Sequence, residues 1–147
     1  MNTNFRDILE VFNRHRVRYL VVGGYAVMQY TEPRFTKDLD LWIDATPHNA
    51  DRVYAALAEF GAPISGCDPK EFTEPEQVFQ LGVEPERVDV MTSIPGVKFG
   101  PAWDKRTTKI VGGLRVPFIS KADLIRAKKA AGRPVDLIDL DNLKKLT

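Results

Sequence analysis

Two aspartates spaced two residues apart are the side chains in this sequence best suited to chemistry. Asp38 and Asp40 lie in the stretch "DLDLWID", which alternates polar and apolar residues with the period of a β-strand. Residues two apart on a strand share a face and lie about 7 Å apart, so both carboxylates can converge on divalent cations. Burying such a pair costs several kcal/mol unless a cation compensates it. Oxygen ligands favour Mg²⁺ or Mn²⁺ over zinc.

A third acidic group is expected, because two hard cations need more anionic oxygen than two carboxylates provide. Asp89 in "RVDVM" is the candidate, since apolar residues flank it in a second predicted strand. Neighbouring strands lie about 4.8 Å apart, so Asp89 would face the same metals if the two strands pair. Asp68 and Asp104 are alternatives that lack a strand-like apolar setting.

Two glycines predict a phosphate-binding turn. Gly23 and Gly24 follow the apolar run "YLVV" and precede the helix-compatible "YAVMQY". The first N–H groups of a helix are unpaired and lie at the positive end of its dipole, and glycine lets a phosphate approach them closely. Arg34, in the loop before the acidic strand, would neutralise the same phosphates through its fork of donors.

The elements that position these residues follow from periodicity and from turn residues. A helix to about Arg16 precedes the first strand, and a second helix follows the acidic strand and ends at Gly61. Two hairpins are predicted, one around Glu84-Pro85 and one around Gly112-Gly113. Two closing helices begin after Ser120 and at Pro134. The pattern predicts an α/β (α+β) fold, with a mixed sheet and a short C-terminal helical tail, in a single domain over residues 1–147.

The composition is that of an ordinary globular protein and excludes several classes. The formal net charge is +1, and no long basic stripe occurs, which disfavours a nucleic-acid-binding protein. No apolar run is long enough for a membrane span, and the first residues lack the layout of a signal peptide, so we predict a cytoplasmic protein without a membrane partner. Cys67, the single cysteine, excludes an internal disulfide. Arg126, Lys128 and Lys129 are predicted to form a solvated helix face.

The spacing of these motifs resembles that of the nucleotidyltransferase superfamily of the DNA polymerase β type. The glycine pair, thirteen intervening residues, "DLD" and a later strand aspartate carry the resemblance, and "RFTKDLDL" is similar to the Arg-x-Thr-x-Asp-x-Asp form of small prokaryotic members. Those members include lincosamide-type antibiotic nucleotidyltransferases and the nucleotidyltransferases of toxin–antitoxin systems. The tail "ISKADLIRAKKAAGRPVDLIDLDNL" is similar to their closing helices, and Lys128 and Arg133 match basic positions there.

The resemblance implies a reaction and roles for the residues. A nucleoside monophosphate would pass from an NTP such as ATP to an acceptor hydroxyl on a small molecule, a protein or an RNA end. Asp38, Asp40 and Asp89 would hold two Mg²⁺ ions, and Asp89 would help to deprotonate the acceptor, while Gly23, Gly24 and Arg34 would hold the triphosphate. The alternative is a non-catalytic or weakly active antitoxin that binds a protein partner encoded nearby. Many relatives have Ser where this chain has Gly24, so one hydroxyl contact is missing.

Overall fold

A computed structural model of the protein describes residues 3–33, 37–82 and 86–145, and its centre is one mixed six-stranded sheet. The strands lie in the order β3-β4-β2-β1-β6-β5. Strand β1 pairs antiparallel with β2 and parallel with β6, and β2 pairs parallel with β4. The two outer pairs, β3 with β4 and β5 with β6, are antiparallel. The strand bounds are β1 Tyr19–Val22, β2 Leu39–Ile43, β3 Val78–Leu81, β4 Val88–Met91, β5 Thr107–Val111 and β6 Leu114–Phe118.

Six α-helices and one 3₁₀ helix are described, and they lie between or beyond the strands along the chain. Helix α1 packs against α3, α5 packs against α6, and α2 contacts both α5 and α6. A 3₁₀ helix, Pro69–Thr73, packs against α3. The α-helix bounds are α1 Thr3–Arg14, α2 Gly23–Tyr30, α3 Pro47–Phe60, α4 Phe99–Asp104, α5 Lys121–Ala131 and α6 Pro134–Lys145. The described helices include none long and apolar enough to cross a membrane.

The helix ends follow the capping rules that the sequence indicated. Ser120 accepts a hydrogen bond from the backbone N–H of Asp123 at the start of α5, and Gly132 ends that helix in the left-handed conformation. Gly61 ends α3 in the same way, with φ of 95°. The mixed sheet and the two closing helices α5 and α6 confirm the predicted α/β fold with its helical tail.

The structure adds two short elements to the predicted ones. The 3₁₀ helix begins with a capping box, in which Asp68 accepts from the backbone of the first turn and Glu71 accepts from the backbone of Asp68. Helix α4 lies between the two predicted hairpins and buries Ala102. Both helices are too short to show a full period of apolar residues, so the sequence pattern did not indicate them. The predicted turn at Glu84-Pro85 lies outside the described residues.

Candidate active site

The strand register brings Asp40 and Asp89 together. Strands β2 and β4 are parallel neighbours, and Asp40 lies directly opposite Asp89 in their pairing. Residues paired in this way point to the same face of a sheet. Asp38 lies immediately before β2, two residues from Asp40, and therefore continues the same face. The three carboxylates predicted from the sequence thus lie at one end of two adjacent strands.

Arg87 bridges two of these carboxylates. Its Nη2 lies 3.0 Å from Asp38 Oδ2, and its Nε lies 3.0 Å from Asp89 Oδ1. All three side chains are largely enclosed, with exposed fractions of 26% for Arg87, 29% for Asp38 and 12% for Asp89. Sequence reasoning missed this residue. The available signal was its position two residues before Asp89, so that Arg87 continues the face of β4 that carries Asp89.

Asp40 is the carboxylate with the strongest penalty for being charged. Burial, and then the negative charges of Asp89 and Asp38, raise its pKa to about 6, against the opposing effects of Lys128 and Arg87. Asp38 Oδ1 is also buried, and it has no hydrogen-bond partner within the described parts of the chain. The site therefore holds more negative charge than its enclosed surroundings compensate.

The glycine turn lies against Asp40. Gly23 is the first residue of α2 and has a φ of 68°. The residue before it, Val22, lies opposite Asp40 in the pairing of β1 with β2. A Cβ at Gly23 would collide with Asp40 Oδ2 and would lie 2.8 Å from Cγ of that residue. Glycine is therefore required twice, for its backbone conformation and for the space it leaves. Val22 provides no side-chain cap to α2, so the first N–H groups of this helix, at Gly23 and Gly24, are open to an acceptor from outside the chain.

A cavity of about 500 Å³ opens beside the carboxylates, and two basic residues also line it. Gly23, Asp40 and Asp89 line one part of the cavity, and Lys128 of α5 and Arg133, just before α6, line another. The positive charge of Lys128 lowers the pKa of Asp40, so this ammonium group is close enough to stabilise the ionised carboxylate.

Buried carboxylates of α6 hold these two basic residues in place. Lys128 Nζ lies 3.2 Å from Asp136 Oδ1 and 3.3 Å from Asp139 Oδ2, and both aspartates are fully buried. Arg133 forms a two-pronged contact with Asp136, with distances of 2.7 Å and 3.1 Å. The arginine and the lysine lower the pKa of Asp136 to about 2.

The prediction that Lys128 belongs to a solvated face is wrong. The residue is 8% exposed, because its ammonium group turns inward to the two aspartates of the next helix. Lys129 is exposed as predicted. Arg126 is also exposed and contacts Asp123 at 2.8 Å. The pattern of α5 alone did not indicate the difference, since the partners of Lys128 lie on α6.

The remaining predicted residues are placed as follows. Arg34, predicted to bind the triphosphate, lies outside the described residues. Asp68 caps the 3₁₀ helix and Asp104 ends α4 on the surface, and neither lines the cavity. In the described ranges, no group of three or more His, Cys, Asp or Glu side chains is arranged to hold a metal ion. Asp38 faces the Arg87 guanidinium here.

Comparisons with known proteins agree with this fold. A family model described as "Nucleotidyltransferase of unknown function (DUF6036)" matches residues 3–145. The lincomycin-bound structure of the lincosamide antibiotic adenylyltransferase LnuA is similar with a TM-score of 0.62 and 20% identity, over 100% of this chain and 98% of that one. A putative nucleotidyltransferase from Thermotoga maritima, TM1012, is similar with a TM-score of 0.61 and 17% identity, over 96% and 88% of the two chains.

A third solved structure is ANT(2")-Ia in complex with adenylyl-2"-tobramycin. It is similar with a TM-score of 0.61 and 14% identity, over 96% of this chain and 86% of that one. At such identities the likeness establishes the fold. No curated protein sequence matches the chain.

Proposed function

Because the chain belongs to the DUF6036 family of nucleotidyltransferases, whose model matches residues 3–145, we propose that it transfers a nucleoside monophosphate from an NTP to an acceptor hydroxyl and needs Mg²⁺ or Mn²⁺ to do so. The observation that carries this proposal is the alignment of Asp40 and Asp89 on neighbouring strands, beside the uncapped start of α2. Use of an NTP agrees with the predicted cytoplasmic location.

The ligand chemistry of the donor set suits a hard divalent cation, which would take the place of the Arg87 guanidinium at Asp38 and Asp89. Asp38, Asp40 and Asp89 offer only oxygen ligands, Asp38 Oδ1 is buried without a hydrogen-bond partner among the described residues, and Asp40 is ionised at an electrostatic cost. These three side chains would hold the metal. When bound, Mg²⁺ or Mn²⁺ supplies polarisation of phosphoryl oxygens and neutralises the charge that develops on them.

The two sides of the cavity divide the binding of the nucleotide. The amides of Gly23 and Gly24 would donate to phosphate oxygens, with Arg34 as a further donor. Lys128 and Arg133 would supply further positive charge in the same cavity, and Asp136 keeps both in position. Because this contact orders the side chains before the nucleotide arrives, little rotamer entropy is lost on binding.

The reaction is a displacement at the α-phosphorus. The acceptor hydroxyl oxygen forms a bond to this phosphorus, the bond from the phosphorus to the bridging oxygen of the β-phosphate breaks, and pyrophosphate leaves. Asp89 would accept the hydroxyl proton, because it lies next to Asp40 at the cavity wall. Positioning of the acceptor and the donor in one cavity would provide much of the rate enhancement.

The acceptor class is the part of the proposal that an assay must decide. Small molecules, proteins and RNA ends all present hydroxyl groups. The protein is incubated with each α-labelled NTP and Mg²⁺ or Mn²⁺, with and without cell lysate, and the labelled product is separated by size and by nuclease or protease sensitivity. ATP is the first donor to test, since two of the similar structures are of adenylyl-transferring proteins.

Asp40→Asn and Asp38→Asn are expected to remove metal-dependent label transfer. Asp141→Asn is the matched control, because the Asp141 side chain is 67% exposed and forms a surface salt bridge with Lys145. Calorimetry with a non-hydrolysable ATP analogue gives a second measurement that needs no acceptor. Equal transfer by Asp40→Asn and by the control would refute the assignment of the site.

A second candidate function is a non-catalytic antitoxin that binds a protein partner encoded nearby. The Arg87 guanidinium favours it, because this group neutralises Asp38 and Asp89 without any metal. Under this function neither ATP nor Mn²⁺ binds in calorimetry, and the protein forms a stable complex with a neighbouring gene product. Arg87→Gln separates the two functions: it should strengthen Mn²⁺ binding if the cation and the guanidinium compete for the same carboxylates, and should leave binding undetectable otherwise.

A further inference from the structure

A second cavity, of about 510 Å³, is distinguished by its arginines. Arg16, Arg18, Arg52 and Arg115 line it together with Trp103. Arg106 lies next to this group, with its guanidinium 3.9 Å from the centre of the Trp103 ring. We call these five arginines and Trp103 the arginine cluster. They come from residues 16–18, residue 52 and residues 103–115, so the net charge of +1 does not indicate that they gather in one place.

The arginine cluster lies at the end of the sheet opposite to the candidate active site. Arg18 immediately precedes β1, whereas Gly23 immediately follows it, and five residues of extended chain span about 17 Å. Strand β6 runs parallel to β1, and Arg115 is near its beginning, so it lies at the same end as Arg18. The cluster is thus a separate surface.

Carboxylates compensate little of the positive charge of the cluster. Across the described residues, none of the five arginines forms a salt bridge, although other basic side chains do so. Asp44 is the acidic group that interacts with Arg18, and burial raises its pKa despite that interaction. Guanidinium groups gathered with so few carboxylate partners repel one another, and a polyanion would relieve this repulsion.

Two of the arginines are oriented in advance. Arg52 Nη1 donates to the carbonyl oxygen of Arg16 at 3.0 Å, and Arg106 Nη1 donates to the carbonyl oxygen of Trp103 at 2.8 Å. Arg106 is stacked on the Trp103 ring and is exposed, and Arg18 approaches the same ring at 5.5 Å. An exposed guanidinium plane supported by an aromatic ring is a surface on which an unstacked nucleobase can lie.

We propose that the arginine cluster binds single-stranded nucleic acid, with phosphates held by Arg16, Arg18, Arg52 and Arg115 and a base stacked on Arg106. The guanidinium fork matches phosphate oxygens, and several forks around one open cavity suit successive phosphates of one strand better than a single small anion. Contacts of this kind carry no sequence information, so binding is independent of sequence. The proposal does not depend on transferase activity.

Fluorescence anisotropy with a labelled twelve-nucleotide RNA, and with the matching DNA, tests the proposal. The buffer contains EDTA and no NTP, so the candidate active site does not contribute through a metal. The double variant Arg18→Gln/Arg115→Gln is expected to bind about a hundredfold more weakly, because each substitution removes a charge-assisted hydrogen bond worth about tenfold in affinity. The slope of log K against log salt should be smaller in magnitude by about 1.4 for this variant. Each phosphate contact to a single strand contributes roughly 0.7, and two contacts are lost.

The control Lys70→Gln/Lys129→Gln makes the same change of net charge at exposed residues outside the cluster. It is expected to retain wild-type affinity. Arg106→Gln is a second variant, which should weaken binding because the stacking platform is lost. The slope of log K against log salt should change by no more than the roughly 0.7 expected for one phosphate contact. Circular dichroism melts verify that each variant is folded.

Competition distinguishes other anions. Sodium tripolyphosphate and poly-glutamate are each added to the RNA complex at equal charge concentration, and weak competition by both supports the proposal. Tripolyphosphate binding that is sensitive to Arg18→Gln/Arg115→Gln, with no RNA or DNA binding, would overturn the proposal in favour of a small-anion site. Displacement of the RNA by poly-glutamate at equal concentration would overturn it in favour of an acidic peptide. Equal loss of affinity in the lysine control would also overturn it.

Discussion

Asp40→Asn should stabilise the metal-free protein. Burial, and then the charges of Asp89 and Asp38, raise the pKa of Asp40 from 3.8 to about 6. At about 1.4 kcal/mol for each pH unit between these values, the ionised carboxylate costs about 3 kcal/mol. Near pH 8 in EDTA, the variant should therefore have a free energy of unfolding about 3 kcal/mol higher. For a chain of this size, that corresponds to a melting temperature roughly 8 °C higher.

The sign of the pH dependence follows from the raised pKa. The folded chain holds a proton on Asp40 more tightly than the unfolded chain does, so the wild type loses this stability as the pH rises from about 4 to about 6. The side-chain amide of the Asp40→Asn variant does not titrate in this range. The advantage of the variant should therefore be complete above pH 6 and should disappear near pH 4.

Urea denaturation of the wild type and of Asp40→Asn, at pH 8 and at pH 4, measures both quantities. Asp141→Asn is the control, because an exposed carboxylate paired with Lys145 contributes less than about 1 kcal/mol. Equal stability of Asp40→Asn and the wild type at pH 8 would refute the reasoning that this carboxylate is held at a cost. A stabilisation that persists unchanged at pH 4 would assign the effect to packing instead.

Three other perturbations have clear expected outcomes. Gly23→Ala should destabilise the protein by about 1–3 kcal/mol and weaken ATP binding in calorimetry, because the left-handed backbone is strained and the new methyl group displaces Asp40. Gly113→Ala has a similar positive φ of 81° but open space around it, so a smaller loss there isolates the collision. Lys128→Met should cost about 3–5 kcal/mol in urea denaturation, since it removes the ammonium between two buried carboxylates, and an unchanged midpoint would contradict that role. Asp136 should stabilise the fold by about 2 kcal/mol above pH 4, and this contribution should be lost as the pH falls toward 2; acid titration of Asp136→Asn, which should show no such loss, measures it.

The local parts of the site were predictable from the sequence because they depend on neighbouring residues. A glycine pair between an apolar run and a helical segment, followed by alternating aspartates, defines a strand, a turn and a face without long-range information. Placing Asp89 beside Asp40 required the further assumption that their two strands pair. In the structure β2 and β4 do pair, with Asp40 opposite Asp89.

The unpredicted parts depend on contacts across the fold. Lys128 is buried because α6 packs on α5 and brings Asp136 and Asp139 to it, and a helix pattern carries no record of a partner on another helix. The bridge from Arg87 to Asp38 joins residues 49 positions apart. Charge patterning classifies such residues as solvated, since most charged residues are exposed.

The pairing of β2 with β4 also has a consequence for biosynthesis. These strands are parallel, and α3, the 3₁₀ helix and β3 separate them along the chain, so the pairing is a non-local contact that forms slowly. A nascent chain whose Asp89 is still inside the ribosome lacks one of the three carboxylates. A chain that ends before α5 and α6 lacks Lys128 and Arg133. The cavity lined by Asp40, Asp89, Lys128 and Arg133 should therefore be complete only after α5 and α6 have left the exit tunnel.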